Sequence, residues 1–204
     1  MVLERTEEKM KPFRSIYDKA IPLDMINVDT DQIIPKQFLR MVKKEGYGDF
    51  LFYNWRFQDD GKSTTDFILN DKRYSGRGIL LTRDNFGSGS SREHAVWALR
   101  DFGIKVIIAP SFADIFYNNC FRNGILPVQL KPQEVEFLFR NSKHCDIMVD
   151  LDKQKVVSYD QVFEFCINSS HKRMLLEGLD EIALTLELER NITEYEFKKS
   201  RYQS

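Results

Sequence analysis

Residues 84–99 read DNFGSGSSREHAVWAL, a loop rich in glycine and serine set directly against a helical run that opens with an arginine. Backbone N–H groups at a helix start, the adjacent hydroxyls of Ser90 and Ser91 and the guanidinium of Arg92 together describe a receptor for a small anion. Arg92 is the most telling of these groups. A cation in the first helical turn is opposed by the helix dipole, at a cost of roughly 0.3 kcal/mol or more, unless an anion or a carboxylate lies beside it. Ser90 has two readings. The run SSRE over 90–93 also fits a capping box, in which the serine accepts from the third helical amide and Glu93 reaches back, so the hydroxyl is either a cap or free for chemistry. His94, one turn into the helix and next to Ala95, reads as a hydrogen-bonded structural residue rather than a base.

Spacing rules out several other chemistries. GSGSSR over 87–92 has Arg92 where a dinucleotide fingerprint needs its third glycine, and GKS over 61–63 has Arg56 where a phosphate loop needs its first. Ser88 and Ser90 alternate with glycines in the wrong frame for a hydrolase nucleophile elbow. The three cysteines, Cys120, Cys145 and Cys166, form no Cys-x-x-Cys pair, which implies neither a disulfide framework nor a metal cage. Thirty basic residues against thirty-one acidic ones leave a formal charge of −1, so there is no electrostatic footprint for nucleic acid or an anionic membrane. No apolar run approaches the ~20 residues that cross a bilayer, and MVLERTEEKMKPF is charged where a signal peptide is apolar. The expectation is a cytoplasmic protein. A chain of 204 residues with 42% hydrophobic content buries roughly 70% of its unfolded surface, which is enough for one domain spanning 1–204.

The elements that must hold the loop follow from periodicity. GILLTRDNF predicts a strand, GSGSS a turn, REHAVWALRDF a helix stopped by Gly103, and IKVIIAP a buried strand. This is a βαβ unit with parallel strands. The pattern repeats, with Ser111 read as the cap of FADIFYNNCFRN, Gly124 as its end and ILPVQL as the next strand. Upstream, YDKAIPLDMINVDTDQIIP predicts one short strand and a polar turn over 27–31. KQFLRMVKK predicts a short helix ending near Gly46, and DFILNDKRYSGRGILLT a hairpin-like pair of strands. Downstream, PQEVEFLFRN is a short helix begun by Pro132, and strands joined by tight turns follow. Residues 1–13 read as a loose extension and 169–204 as a mainly helical tail. In an open parallel sheet, ligands collect at the carboxyl ends of the strands, where the loop 86–92 lies.

NFGSGSSREHAVWAL, preceded by NVDTDQIIPKQFL and followed by IIAPSFADIFYNNCFRNGILPV, resembles the small subunits of 3-isopropylmalate dehydratases, free-standing relatives of the aconitase swivelling domain. The likeness runs in order from about residue 15 to about residue 190. It implies an α/β fold, a swivelling β/β/α three-layer domain with a helical C-terminal tail. It also implies a hydro-lyase that is active only as a heterodimer with a large subunit. That subunit would carry the 4Fe-4S cluster, since this chain lacks cluster-type cysteine spacing, and the cluster's open iron would act as a Lewis acid. The implied reaction isomerises 2-isopropylmalate to 3-isopropylmalate by dehydration and rehydration in leucine biosynthesis. Motif by motif, Ser90 matches the serine that removes the proton next to a carboxylate, and Ser91 its hydrogen-bonding neighbour. Arg92 matches the arginine that clamps a substrate carboxylate. Asp31, in DTDQIIP, matches an acidic residue that lines the site and supports a histidine of the partner, and the adjacent Thr30 is taken with it as substrate-binding. No metal ligand is implied on this chain, and a second substrate arginine has no unambiguous counterpart in KQFLRMVKK.

A serine acting as base needs physical support, since its hydroxyl titrates above even the ~10 of tyrosine, more than ~4 kcal/mol from neutrality. A helix N-terminus supplies at most ~2 kcal/mol. The rest must come from loop amides, Arg92 and the dry interior of a closed heterodimer, so the isolated chain is expected to be inert. Two alternatives stand beside this reading: a related dehydratase acting on homoaconitate or on citraconate and methylmalate, and a non-catalytic anion-binding module. The loop EGYGDFLFYNW bears on substrate choice, because an isopropyl-sized group wants apolar cover. Tyr47, Leu51 and Phe52 are candidates for that cover, or else core residues.

Overall fold

The computed structural model describes residues 10–40, 45–179 and 183. Residues 1–9 of the expected extension, and the expected tail beyond 179 apart from 183, lie outside the described residues. The chain enters through two short strands, β1 (Ser15–Asp18) and β2 (Ala20–Pro22). A four-residue helix, α1 (Thr30–Ile33), and irregular turns lead to α2 (Tyr53–Arg56). From there the chain settles into β3 (Ile79–Leu81), α3 (Glu93–Phe102), β4 (Val106–Ala109), α4 (Asp114–Arg122) and β5 (Leu126–Gln129). Helix α5 (Pro132–Asn141) precedes β6 (Ile147–Asp150), β7 (Lys155–Ser158) and β8 (Gln161–Glu164), and α6 (Ser169–Glu177) follows.

Strands β2-β3-β4-β5 form a parallel sheet and β1-β6-β7-β8 an antiparallel one. The alternation of side chains along each parallel strand explains the layering. Ile21, Leu80 and Ile107 pack with Ala95, Val96 and Leu99 of α3 in one core. Their neighbours Ala20, Ile79, Leu81, Val106 and Ile108 pack in a second core with Ile147, Val149 and Val156 of the antiparallel sheet. Helices, parallel sheet and antiparallel sheet are thus three layers, the β/β/α arrangement expected. Asp18 ties the two sheets where the chain crosses between them: its carboxylate accepts from the Gly78 amide at 2.9 Å and the Arg77 guanidinium at 2.7 Å.

Several local expectations are corrected. The predicted polar turn over 27–31 contains the start of α1, because Asp29 accepts from the Gln32 amide while the Gln32 side chain accepts from the Asp29 amide, a complete capping box. The predicted hairpin before residue 82 does not form. Ile68–Asn70 and Lys72–Tyr74 are single 3-10 turns, the second capped by Asp71, and β3 pairs in parallel with β2 and β4. The expected helix after Pro35 is a 3-10 turn over Lys36–Phe38, and 41–44 lie outside the described residues. Ser111 does not cap α4, whose N-cap is Ala113. Its hydroxyl instead accepts from the Asn85 amide at 2.8 Å and donates to Asp84 at 3.2 Å. Residues 10–13 are not loose, for Phe13 is buried in the second core and its amide donates to the Leu175 carbonyl. No helix among the described residues is long and apolar enough to cross a membrane.

Candidate functional site

The loop after β3 is fastened on both sides. On one side it meets the start of α1: the amides of Gly87 and Ser88 donate to the Val28 carbonyl, the Thr30 amide donates to the Ser88 carbonyl at 2.9 Å, and the Thr30 hydroxyl donates to the Ser90 carbonyl at 2.8 Å. On the other side it meets the start of α4, where the Ala113 amide donates to the Phe86 carbonyl and the Phe86 ring stands edge-on to Phe116 at 5.4 Å. Gly87 makes this closeness possible. Its φ is +78°, and a Cβ there would lie 2.1 Å from Phe116 Cγ, so no other residue fits.

A cavity of about 260 Å³ opens between these elements, near the lower end for small-molecule sites. Thr30, Ser90, Ser91 and Arg92 line one part, and Ala113, Asp114, Ile115 and Phe116 at the start of α4 line another. Helices α3 and α4 both begin here, with Arg92 and Ala113 as N-caps, and neither has a side-chain cap. The two readings of Ser90 are therefore separated. Helix α3 starts at Glu93, beyond the reach of a capping box on Ser90, and Glu93 accepts from Asn123 Nδ2 at 3.0 Å instead of reaching back. Ser90 and Ser91 are both exposed at the cavity.

Arg92 has the carboxylate partner its position calls for. Its side chain is 9% exposed and Nη1 donates to Asp31. That hydrogen bond, more than the charge of Arg92 or of Lys36 at 3.9 Å, holds the Asp31 carboxyl below its ordinary range. Among the described residues the hydrogen bonding of Arg92 is confined to Nη1, which leaves Nε and Nη2 as donors. Burial pushes the His94 imidazole below its ordinary value, which favours the neutral ring. It packs against Tyr47 and Trp97 at 5.4 and 4.6 Å, a structural role held by ring packing. All five residues singled out from the sequence thus gather: Thr30, Ser90, Ser91 and Arg92 line the cavity, and Asp31 is joined to it through Arg92.

Sequence reasoning missed the start of α4. The signal was available, because the βα pattern repeats and α4 follows β4, the strand paired in parallel with β3; consecutive helix starts then share one edge of the sheet. Of the two readings of the loop over 45–55 the core one holds: Tyr47, Leu51 and Phe52 are 0% exposed and belong to the core under α3, because the turn over Tyr47–Phe50 packs on that helix. Among the described residues no three His, Cys, Asp or Glu side chains gather as metal ligands. Cys120 is fully buried, its thiol pushed up by desolvation, whereas Cys145 is partly buried and Cys166 exposed.

The layered fold and its glycine-serine loop define a domain of the aconitase swivelling class, and residues 10–133 match the aconitase C-terminal domain. Similar chains narrow this class. The 3-isopropylmalate dehydratase small subunit of Leptospira interrogans is 54% identical over 93% of this chain and 95% of its own length. That of Shouchella clausii is 51% identical over 94% and 98%. A solved structure of 3-isopropylmalate dehydratase from Methanocaldococcus jannaschii, 25% identical, superposes with a TM-score of 0.63 over 89% of this chain and 99% of that one. The chain belongs to the family of 3-isopropylmalate dehydratase small subunits.

Proposed function

We propose that this chain supplies the proton-transfer half of a 3-isopropylmalate dehydratase site, interconverting 2- and 3-isopropylmalate through an alkene in leucine biosynthesis. The observation that carries the reading is the meeting of Ser90, Ser91 and Arg92 with two uncapped helix starts at one cavity. The substrate is a dicarboxylate. One carboxylate takes the Nε and Nη2 donors of Arg92, while Asp31 keeps Nη1 and so fixes the plane of the fork. Ser90 then takes the proton from the carbon next to that carboxylate and returns a proton on rehydration. Ser91 hydrogen-bonds beside it. The Thr30 hydroxyl, spent on the Ser90 carbonyl, positions the base from below.

Ser90 needs its alkoxide stabilised by more than one source. The unclaimed amides at the starts of α3 and α4 and the nearby guanidinium contribute, and exclusion of water on docking strengthens all of them. The cysteines of this chain do not fit an iron–sulfur cluster, with Cys120 in the core and Cys166 on the surface. A 4Fe-4S cluster would accordingly be held by a large subunit and would supply Lewis acidity to the reaction from there. The complex acts in the cytoplasm, where free cysteines stay reduced. Its test is Ser90→Ala, assayed with a cluster-loaded large subunit. The expected result is a turnover loss of several orders of magnitude with stability within about 0.5 kcal/mol of the parent, since the hydroxyl caps nothing. Near-normal turnover would overturn the assignment.

A further inference from the structure

We propose that Ile115 is a specificity-determining residue that covers the branched alkyl group of the substrate. The inference rests on the functional reading above. Ile115 is 55% exposed, and of the large hydrophobic side chains exposed among the described residues it alone lines the cavity. A scattered exposed isoleucine needs no explanation, but its surroundings single this one out. Ala113 beside it is too short to enclose a substituent. Phe116 is 2% exposed and locked edge-on against Phe86 beneath Gly87, so it forms a fixed back wall with little surface to offer. Among the described residues that line the cavity, Ile115 is left as the one side chain with both apolar area and free surface.

The substrate's polar groups are provided for elsewhere. Arg92 and the helix amides suit carboxylates, and Ser90 and Ser91 suit hydroxyl and proton transfer. An isopropyl substituent has no partner among those groups, and Tyr47, Leu51 and Phe52 are sealed in the core. Asp114 strengthens the case by exclusion. It is exposed, sits next to Ile115 and lines the same cavity, so a substrate with a third carboxylate at this point would meet a like charge. The wall formed by Ile115 and Asp114 accepts an alkyl branch and rejects an anionic one.

The test uses the assembled enzyme, this chain with its cluster-loaded large subunit, and compares isopropylmalate with citraconate, the alkene that carries a methyl group where the alkene formed from isopropylmalate carries the isopropyl. Ile115→Ala should lower kcat/KM for isopropylmalate roughly tenfold, mainly through KM, as expected for lost alkyl contact. The value for citraconate should change less than about twofold, and Ile115→Val should restore most of the loss. Equal losses on both substrates, unchanged activity on isopropylmalate, or a weaker affinity for the large subunit in an activity titration would each overturn the proposal. A parent complex that hydrates citraconate but fails on isopropylmalate would overturn the functional reading itself, and this inference with it.

Discussion

Helices α1 and α6 begin under side-chain caps, Asp29 accepting from the Gln32 amide and Asn168 from the Ser170 amide, each at 2.8 Å. Helices α3 and α4, longer than α1 and no less central to the core, begin at Arg92 and Ala113 with no such cap. A cap is worth about 1 kcal/mol, and the chain forgoes it at the two starts that face the cavity. Even Glu93, placed by sequence to reach back, is drawn aside to Asn123, which also accepts from Trp97 Nε1 at 2.9 Å. An open start alone does not mark a site, since α2 and α5 also begin without a side-chain cap; what sets α3 and α4 apart is that their open starts meet at one cavity.

The comparison can be broken most forcefully at Arg92. Arg92→Lys keeps the charge but cannot serve Asp31 and a substrate carboxylate with one planar fork, so kcat/KM of the complex should fall about 100-fold, with KM raised and kcat lowered together. An effect below about threefold would show that the fork is not used. Thr30→Val removes the bond to the Ser90 carbonyl while keeping the shape. It is expected to lower kcat about tenfold with little change in KM, and to cost about 1 kcal/mol in denaturant unfolding.

A cap can also be added where the molecule omits one. Ala113→Ser places a hydroxyl acceptor at an N-cap whose φ of −69° and ψ of 135° already suit it. The chain should gain about 0.5–1 kcal/mol in thermal or urea unfolding, while substrate affinity weakens about twofold as an amide is taken up. Stabilisation without any loss of affinity would separate the α4 start from ligand binding. The smallest effect concerns pH. The Asp31 carboxyl is lowered in the folded chain, so its pair with Arg92 contributes fully above the ordinary value of about 4 and fades as pH falls through the lowered value. The gap in urea midpoint between parent and Asp31→Asn should therefore shrink on acidification below pH about 4. A gap that stays constant would assign the effect of Asp31 to something other than its charge.

Legibility from sequence followed the range of the interactions involved. The parallel strands and α3 carry strong periodicity and a glycine stop, with Gly103 at a φ of +107°, and they are where they were read. The five candidate residues lie within motifs: Ser90, Ser91 and Arg92 stand out in the loop itself, while Asp31 and Thr30 come only through the family resemblance. What failed depended on contacts distant in sequence. Ser111 looked like a cap until Asp84 and Asn85 claimed its hydroxyl. Ser90 looked like a cap because nothing local reveals that α3 begins three residues later or that Asn123 competes for Glu93. The hairpin expected over 66–82 fails for the same reason, because the edge beside β3 is taken by β2, from nearly sixty residues upstream. Tyr47, Leu51 and Phe52 are apolar in any setting, and only the packing of their turn on α3 decides between core and cover.

The central claim is that this chain holds a base and a carboxylate clamp that become a catalyst only inside an assembled enzyme. It is tested most directly by anaerobic isopropylmalate turnover measured for the chain alone, for a cluster-loaded large subunit alone, and for a titration of one into the other. Neither component alone should turn over, and activity should rise on mixing to a plateau at one chain per large subunit. Turnover by this chain alone, or no activity at any ratio, would contradict it.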